Sequence, residues 1–277
     1  MFGLFRRNKA HQTSEISSHQ LTLISVSEPL KSMKRVDFEM ADQSLEDVYE
    51  WLSLHDKYCW FNGGHYNLNE QPIGKYQLQL SSYLGAKSLP VVLTNNTETL
   101  LYSLPLLASP RKELGIVHIG RQFELKACLE PDKGSAFHFA LSRYSECRLF
   151  CLGIDGTQLD EQTAEYAEDL GCDWLTLEEC SFGHRLSIKQ QIASYLSHCD
   201  DIVLNIDLDC LYPLSRIETG SAVDLQVMHR IVRQLLLSGK VRQIQLVGYK
   251  DKHLYSKQTL GLLRELAQVY PISHRAA

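Results

Sequence analysis

The chain has 277 residues, of which 44% are hydrophobic and 22% are charged. These proportions are typical of a folded globular protein and exclude a wholly disordered or collagen-like chain. The formal net charge of −5 excludes the global positive field of a protein that wraps nucleic acid. No apolar run approaches the roughly 18 residues needed to span a bilayer. We therefore expect neither nucleic acid nor a membrane among its partners.

The cysteines and the first residues bear on location and domain organisation. The eight cysteines include no C-x-x-C pair, which predicts reduced thiols in a cytoplasmic protein rather than a disulfide framework or a zinc site. Residues 1–20 are polar and contain no apolar signal-peptide core, which predicts a mobile N-terminal arm. From residue 88 onward no linker-like break interrupts the pattern, and we expect residues 21–277 to form one domain.

Three elements are predicted in the first third of the chain. A strand is expected at 21–26, a helix at 44–55 with Ser44 as its cap, and a helix at 73–85. Between the two helices, the tetrapeptide NGGH at 62–65 predicts a turn.

After residue 88, short apolar strands alternate with helical patterns. Strands are predicted at 88–93, 114–119, 147–154, 173–177, 201–207 and 241–249. Helices are predicted at 97–107, 159–170, 187–199, 224–239 and 257–270. Continuously apolar strands between helices are typical of a parallel sheet that helices cover on both faces. We therefore predict a three-layer α/β/α sandwich with a mainly parallel sheet, whose ligand site lies at the carboxyl ends of the strands.

The most specific local feature is NIDLDC at 205–210. Asp207 and Asp209 follow an apolar strand and point to the same side, because side chains alternate with a period of two. Two neighbouring carboxylates repel each other unless a cation lies between them or one binds a proton. The pair therefore indicates either a metal site or two structural carboxylates, one capping a helix and the other solvated.

Segments around this pair are similar to those of one enzyme family. The order TNNTE, GIVHIGRQFELK, CLGI, LNIDLDC and SGKV, within residues 88–270, resembles the arginase/agmatinase superfamily of ureohydrolases, and most of all its formiminoglutamase branch. The resemblance implies an arginase-like α/β fold with two manganese ions at the carboxyl ends of the strands. In that family a hydroxide that bridges the ions attacks a guanidinium or formimino carbon, and the ions activate the water and stabilise the transition state.

The resemblance also assigns the family's metal-ligand positions in this sequence. The residual ligands are the two aspartates of the D-x-D motif and one longer carboxylate, namely Asp207, Asp209 and Glu124. Ligating groups are lost at three positions, which are Thr97, Gly120 and Gln122. Manganese binds hard oxygen and imidazole ligands, and hydroxyl or amide oxygens are poor substitutes. We therefore expect no cofactor, and one weakly bound divalent cation such as Mn²⁺ is the alternative.

Other family positions have changed as well. An aspartate that usually follows D-x-D is replaced at Tyr212, a glutamate near the last strand falls on Gly248, and the loop at 213–221 looks shortened. Without two metal ions the aspartate pair needs another partner. The basic residues that could form a charge-assisted bridge to it are Arg121, Lys126 and Lys250.

Two functional hypotheses follow from these changes. The first is a pseudoenzyme whose preserved scaffold binds a small molecule, a partner protein or a second copy of itself. The alternative is a metal-dependent C–N hydrolase of an amidine- or guanidine-like substrate, with one ion held by Asp207, Asp209 and Glu124. Its candidate catalytic residues, as proton shuttles, are Glu98 and His118.

Two further positions have alternative interpretations. His118 shares a face with Gly120, so it either lies beside Asp207 or is a core histidine bonded to the backbone. Gly134 and Ser135, in GSAFHF, match the family's serine-glycine substrate loop, and they indicate either substrate binding or a plain turn.

Overall fold

A parallel sheet forms the centre of the molecule. In the described part of the computed structural model, which comprises residues 21–55, 60–86, 88–213 and 222–273, eight strands form one sheet in the order β2-β1-β3-β8-β7-β4-β5-β6. Every neighbouring pair is parallel. The strands are β1 Leu21–Ser27, β2 Phe61–Asn67, β3 Leu89–Thr94, β4 Leu114–Ile119, β5 Cys147–Ile154, β6 Asp173–Thr176, β7 Asp201–Asp207 and β8 Val241–Val247. The predicted arm at 1–20 and residues 214–221 of the loop lie outside the described residues.

Ten helices accompany these strands in the described ranges. They are α1 Arg35–Glu46, α2 Val48–His55, α3 Ile73–Gly85, α4 Leu100–Leu107, α5 Ala136–Arg143, α6 Glu161–Asp169, α7 Arg185–Ser197, α8 Leu225–Leu237, α9 Asp251–Leu254 and α10 Lys257–Ser273. In that part of the chain, no helix combines the length and apolar character needed to cross a membrane.

Helices cover the sheet on both faces, which confirms the predicted three-layer architecture. Buried residues of α1, α2, α7, α8 and α10 form one core cluster with one face of the sheet. Buried residues of α3, α4, α5 and α6 lie in two further clusters with strand residues of the opposite set. The inner strands β3 and β4 are buried on both faces because these two layers enclose them.

Two predicted elements differ from the structure. NGGH at 62–65 lies within strand β2 rather than in a turn, because β2 pairs with β1 through its backbone whatever its side chains. The helix predicted at 44–55 begins earlier, at Arg35, and divides at Asp47 into α1 and α2. Ser44 is therefore not a cap, and its hydroxyl donates to Asp251 instead.

Candidate functional site at the carboxyl ends of the central strands

The four central strands bring most of the predicted site residues to one cavity. The ends of β3, β8, β7 and β4 are neighbours in the sheet, and a cavity of about 380 Å³ opens beside them. Its lining includes the predicted positions Thr97, Glu98, Gln122, Glu124, Asp207, Asp209, Gly248 and Lys250. Sequence segments that are far apart in the chain therefore meet where the fold predicts a ligand site.

The two aspartates of the D-x-D motif have different environments. An Asp207 carboxylate oxygen accepts a hydrogen bond from the backbone N–H of Asp209, at 2.9 Å, and so caps the short 3-10 turn that follows β7. Burial raises the pKa of Asp207 to about 6, although this hydrogen bond and the charges of Arg121 and Lys250 oppose the shift. Asp207 therefore lacks a direct cationic partner among the described side chains.

Asp209 is held by two basic side chains. Lys250 Nζ donates to one carboxylate oxygen at 2.9 Å, and His253 Nδ1 contacts the other oxygen. Burial opposes ionisation of Asp209, but these two partners lower its pKa below the usual value. The predicted charge-assisted bridge is therefore confirmed for Lys250. His253 was not predicted, because it lies on α9, far from Asp209 in the sequence.

Tyr212 supports the same arrangement from the position where the family has an aspartate. Its ring stacks on the ring of His253, with centroids 4.0 Å apart and planes inclined by 8°. Its hydroxyl also donates to the hydroxyl of Ser256. Tyr212 thus fixes the imidazole that contacts Asp209.

Arg121 points toward backbone atoms rather than toward the carboxylates. Its guanidinium donates to the carbonyl oxygen of Asp209 at 3.1 Å and to the carbonyl oxygen of Tyr212. Its Nε atom is buried and has no hydrogen-bond partner. The interpretation of Arg121 as the bridge to the aspartate pair is therefore wrong. Lys126 lines a neighbouring groove instead of this cavity.

His118 is a core residue. Its side chain is 1% exposed, Nε2 lies 3.0 Å from the carbonyl oxygen of Gln122, and Nδ1 lies 2.9 Å from the amide nitrogen of Asn205. Burial lowers the pKa of His118 to about 4, so the ring is neutral at pH 7. The interpretation as a core histidine is supported, and the alternative position beside Asp207 is not. This geometry does not support a role as proton shuttle.

Two of the changed family positions, the lost ligand position Gly120 and the glutamate position Gly248, leave little room for a longer side chain. A Cβ atom at Gly120 would lie 2.3 Å from Nε2 of His118. At Gly248 the backbone has a φ of +153°, and a Cβ atom would lie 3.1 Å from Cβ of Leu208. An aspartate at the first position or a glutamate at the second therefore requires its neighbours to move.

The remaining carboxylates are close enough to repel each other. Glu98 is 2% exposed, and its carboxylate accepts a hydrogen bond from the backbone N–H of Ser135 at 3.0 Å. Burial raises the pKa of Glu124 to about 8, and the charges of Glu98 and Asp207 add to the shift. Burial raises the pKa of Glu98 as well. Glu124 has a φ of 52°, a left-handed conformation that is uncommon for a non-glycine residue.

Residues 134–135 form a turn that contacts Glu98, one of the residues that line the cavity. The Ser135 hydroxyl donates to the carbonyl oxygen of Asp132 at 2.6 Å and is fully buried. Gly134, with a φ of +89°, lines the neighbouring groove rather than the site cavity. The plain-turn interpretation accounts for both residues, while the Ser135 backbone N–H positions Glu98.

The loop that carries Thr97 is fixed by side chains that the sequence did not single out. Asn95 exchanges two hydrogen bonds with the backbone of Glu28, at 2.9 and 2.8 Å. Glu28 is buried at the end of β1 and accepts hydrogen bonds from Thr99 and Tyr102. These contacts hold the 94–98 segment rigidly against β1.

Within the described ranges, no group of three or more His, Cys, Asp and Glu side chains has the arrangement of a metal site. The seven cysteines in those ranges have free thiols.

Comparison with known proteins relates the chain to formimidoylglutamases in sequence. No family model matches it. It is 28% identical to the formimidoylglutamase of Chromobacterium violaceum over 185 residues, which cover 63% of this chain and 60% of that protein. It is also 28% identical to the formimidoylglutamase of Psychrobacter cryohalolentis over 144 residues, covering 49% and 41%. The matches thus span at most about 60% of these relatives' length.

Solved structures relate the chain to the same superfamily in fold. The crystal structure of formimidoylglutamase from Bacillus subtilis superposes with a TM-score of 0.74 at 12% identity and covers 97% of both chains. Arginase from Bacillus subtilis superposes with a TM-score of 0.68 at 17% identity and covers 90% of this chain and 98% of its own. The resemblance to the arginase/agmatinase superfamily, and within it to the formimidoylglutamase branch, is therefore confirmed by sequence and by fold.

Proposed function

We propose that this chain is a pseudoenzyme of the ureohydrolase fold, which does not assemble a binuclear manganese centre and which uses its cavity to bind a small molecule or a partner. The observation that carries the proposal is the contact of Asp209 with Lys250 and His253. Both oxygens of this aspartate are already occupied by basic side chains.

Electrostatics supports this interpretation. An ammonium about 4 Å from a unit positive charge is repelled by about 4 kcal/mol at the effective dielectric constant of a protein surface, and by about twice that from a divalent ion. Lys250 at 2.9 Å from Asp209 would therefore have to move away before a metal ion could bind there. The donors at Thr97, Gly120 and Gln122 supply no anionic group to compensate.

Steric and protonation arguments agree. The His118 ring occupies the space that a side chain at position 120 would need. Burial and the charges of Glu98 and Asp207 raise the pKa of Glu124 to about 8, so a metal ion that binds this carboxyl group at pH 7 must first displace its proton. The residues of the site thus do not fit two manganese ions.

A second candidate function is a single-metal C–N hydrolase of an amidine- or guanidine-like substrate. Two observations favour it: the relatives are named formimidoylglutamase, and Glu98, Glu124, Asp207 and Asp209 line one cavity. In this alternative the ion binds Asp207, Asp209 and Glu124 and would activate water, while Glu98 would transfer protons. It requires that Lys250 leave Asp209.

Metal analysis distinguishes the two candidates. The protein is purified in the presence of Mn²⁺, its bound manganese is measured by elemental analysis, and its melting temperature is recorded with and without chelator. A formimidoylglutamase treated in the same way is the control. We expect less than one ion per chain, no chelator effect, and no release of formamide, urea or ammonia. Two ions per chain with such release would contradict the pseudoenzyme proposal, and one ion with release would favour the alternative.

The free thiols of the described cysteines support the further proposal that the protein works in a reducing, cytoplasmic compartment.

A further inference from the structure

Two loops that follow distant strands meet over the site cavity. Strands β1 and β4 are separated by three other strands in the sheet, a distance of about 19 Å at the usual strand spacing. The loop after β1 contributes Leu30 and Met33 to the lining of the cavity, and the loop after β4 contributes Glu124 and Lys133. The two loops therefore approach the mouth of the cavity from opposite sides.

Exposed side chains join these two loops. The ammonium group of Lys31 pairs with the carboxylate of Glu130. The Ser32 hydroxyl donates to an oxygen of Asp132 at 2.7 Å, and the Ser32 backbone N–H donates to the same oxygen at 3.3 Å. We call these contacts the latch. The Lys31 and Glu130 side chains are 74% and 65% exposed, so the ion pair is weak.

The segment 29–37, which we call the strap, lies between two fixed ends. At one end Glu28 is buried and accepts hydrogen bonds from Thr99 and Tyr102. At the other end the first buried residue of α1 is Phe38. None of residues 29–37 is itself buried. A segment without buried side chains can open at a low cost in free energy.

The opposite side of the mouth is held more firmly. The Ser135 hydroxyl is buried, donates to the carbonyl oxygen of Asp132 at 2.6 Å and accepts from the Asp132 backbone N–H at 2.9 Å. The backbone N–H of Lys126 donates to the carbonyl oxygen of Gly134 at 2.8 Å. Asp132 is therefore a fixed acceptor, and the strap is the part that can move.

We infer that the strap is a gate for the site cavity and that the latch holds it closed. When Lys31 and Ser32 leave their partners, the strap moves away from the loop after β4 and a small molecule can enter. Because the latch is exposed and partly ionic, salt increases the open fraction. The gate rests on the proposed function in one respect, that the cavity binds a ligand. Its opening can be measured without a ligand and does not depend on the metal content of the protein.

The rate at which an uncharged reagent modifies a thiol inside the cavity tests the gate. Thr97 lines the cavity and is 5% exposed, so Thr97→Cys places a thiol there. The full chain is treated with iodoacetamide in the presence of chelator, and modification at position 97 is followed by peptide mass spectrometry. Leu78→Cys is the matched control, because Leu78 is 77% exposed on α3 and lies outside the cavity.

Reversing one charge of the ion pair should open the gate. In the Thr97→Cys background, Lys31→Glu and Glu130→Lys should each raise the labelling rate at position 97 by about fivefold, because an attraction becomes a repulsion. The double reversal restores opposite charges and should return the rate to within about twofold of the original. Added salt should speed labelling with the original pair and slow it in the single reversals. The rate for Leu78→Cys should not change.

The two single reversals also separate gating from a direct effect of charge on the thiol. They change the local charge in opposite directions, so a direct effect would raise the rate in one variant and lower it in the other. Such opposite changes would overturn the inference. Equal rates in all four proteins, or a double reversal that is labelled as fast as the single reversals, would do so as well. Circular dichroism melts confirm that the variants are folded.

Discussion

The ammonium group of Lys250 and the imidazole of His253 bind opposite oxygens of the Asp209 carboxylate. Asp207, two residues earlier, has no such partner and is half-buried, and desolvation raises its pKa to about 6, whereas the pKa of Asp209 is lowered. The pKa values of the two aspartates of the D-x-D motif are therefore shifted in opposite directions. The motif looks intact in the sequence, but only one of its carboxylates is compensated within the protein.

Replacing Lys250 tests whether this side chain excludes a metal ion. The Lys250 and Asp209 side chains are 49% and 38% exposed, so the ion pair contributes about 0.5–1 kcal/mol at most. We expect Lys250→Met to lower the free energy of unfolding by that amount and to make the melting temperature rise with added Mn²⁺. Lys252→Met, an exposed neighbour on α9, is the control and should show neither effect. A wild-type protein that responds to Mn²⁺ as strongly as Lys250→Met would contradict the proposed exclusion.

Much of the fold could be predicted because its signals are local. Each central strand is a short apolar run. β3, β4, β5 and β7 lie within one residue of their predicted bounds, and β8 ends two residues earlier than predicted. Ligands bind at the carboxyl ends of the strands in such sheets, so the position of the site could be predicted without knowledge of any contact. β2 was missed because it reads FNGGHYN and has no apolar pattern. Its pairing with β1 depends on backbone hydrogen bonds, which its side chains do not reveal.

The partners of the site residues could not be predicted because they are distant in sequence. His253 on α9 contacts Asp209, and the backbone N–H of Ser135 donates to Glu98, which lies 37 residues earlier in the chain. The sequence named Lys250 only as one of several basic candidates, since it cannot show in which direction a side chain points. His118 was ambiguous for the same reason, and only its contacts with Gln122 and Asn205 identify it as a core residue.

The packing of His118 against Gly120 predicts a coupling between these two positions. Gly120→Ala places a Cβ atom 2.3 Å from Nε2 of His118, and such overpacking typically costs about 1–3 kcal/mol. In a His118→Ala background the space is free, so the same substitution should cost much less. A double-mutant cycle from urea denaturation measures the difference. Additive effects of the two substitutions would show that the His118 ring does not fill the ligand position.

The raised pKa of Glu124 predicts that its contribution to the free energy of unfolding falls as the pH rises. A carboxylate paired with a basic residue shows the opposite dependence. Its pKa is raised to about 8 in the folded protein, compared with about 4.3 in an unfolded chain. Between these values the folded state holds the extra proton, so the contribution of Glu124 to stability is largest at low pH and falls as the pH rises to 8. The amide of Glu124→Gln resembles the neutral carboxyl group and does not titrate. The free energy of unfolding of this variant, relative to that of wild type, should therefore rise by more than about 1 kcal/mol between pH 5 and pH 8.

The control for Glu124 is Glu161→Gln, at an exposed position on α6, which should leave the curve unchanged. The measurement is the free energy of unfolding against pH, with chelator present. Parallel curves for Glu124→Gln and wild type would mean that the pKa of Glu124 is not raised in the folded protein, which would contradict this prediction.

Replacing aspartate by asparagine should have opposite effects on the free energy of unfolding at positions 207 and 209. At pH 7.5 both are ionised, above the pKa of about 6 for Asp207 and the lowered pKa of Asp209. Asp207→Asn removes a half-buried charge that has no direct cationic partner among the described side chains. The amide oxygen of the asparagine can still accept the hydrogen bond from the backbone N–H of Asp209. We expect it to raise the free energy of unfolding by about 1–2 kcal/mol. Asp209→Asn leaves Lys250 without its counter-ion and alters the contact with His253, and it should lower the free energy of unfolding by about 1 kcal/mol. The gain of Asp207→Asn should vanish as the pH falls below about 4, because Asp207 is then neutral in both states. A loss of stability in both variants at pH 7.5 would mean that a bound cation, rather than Lys250 and His253 alone, balances this pair.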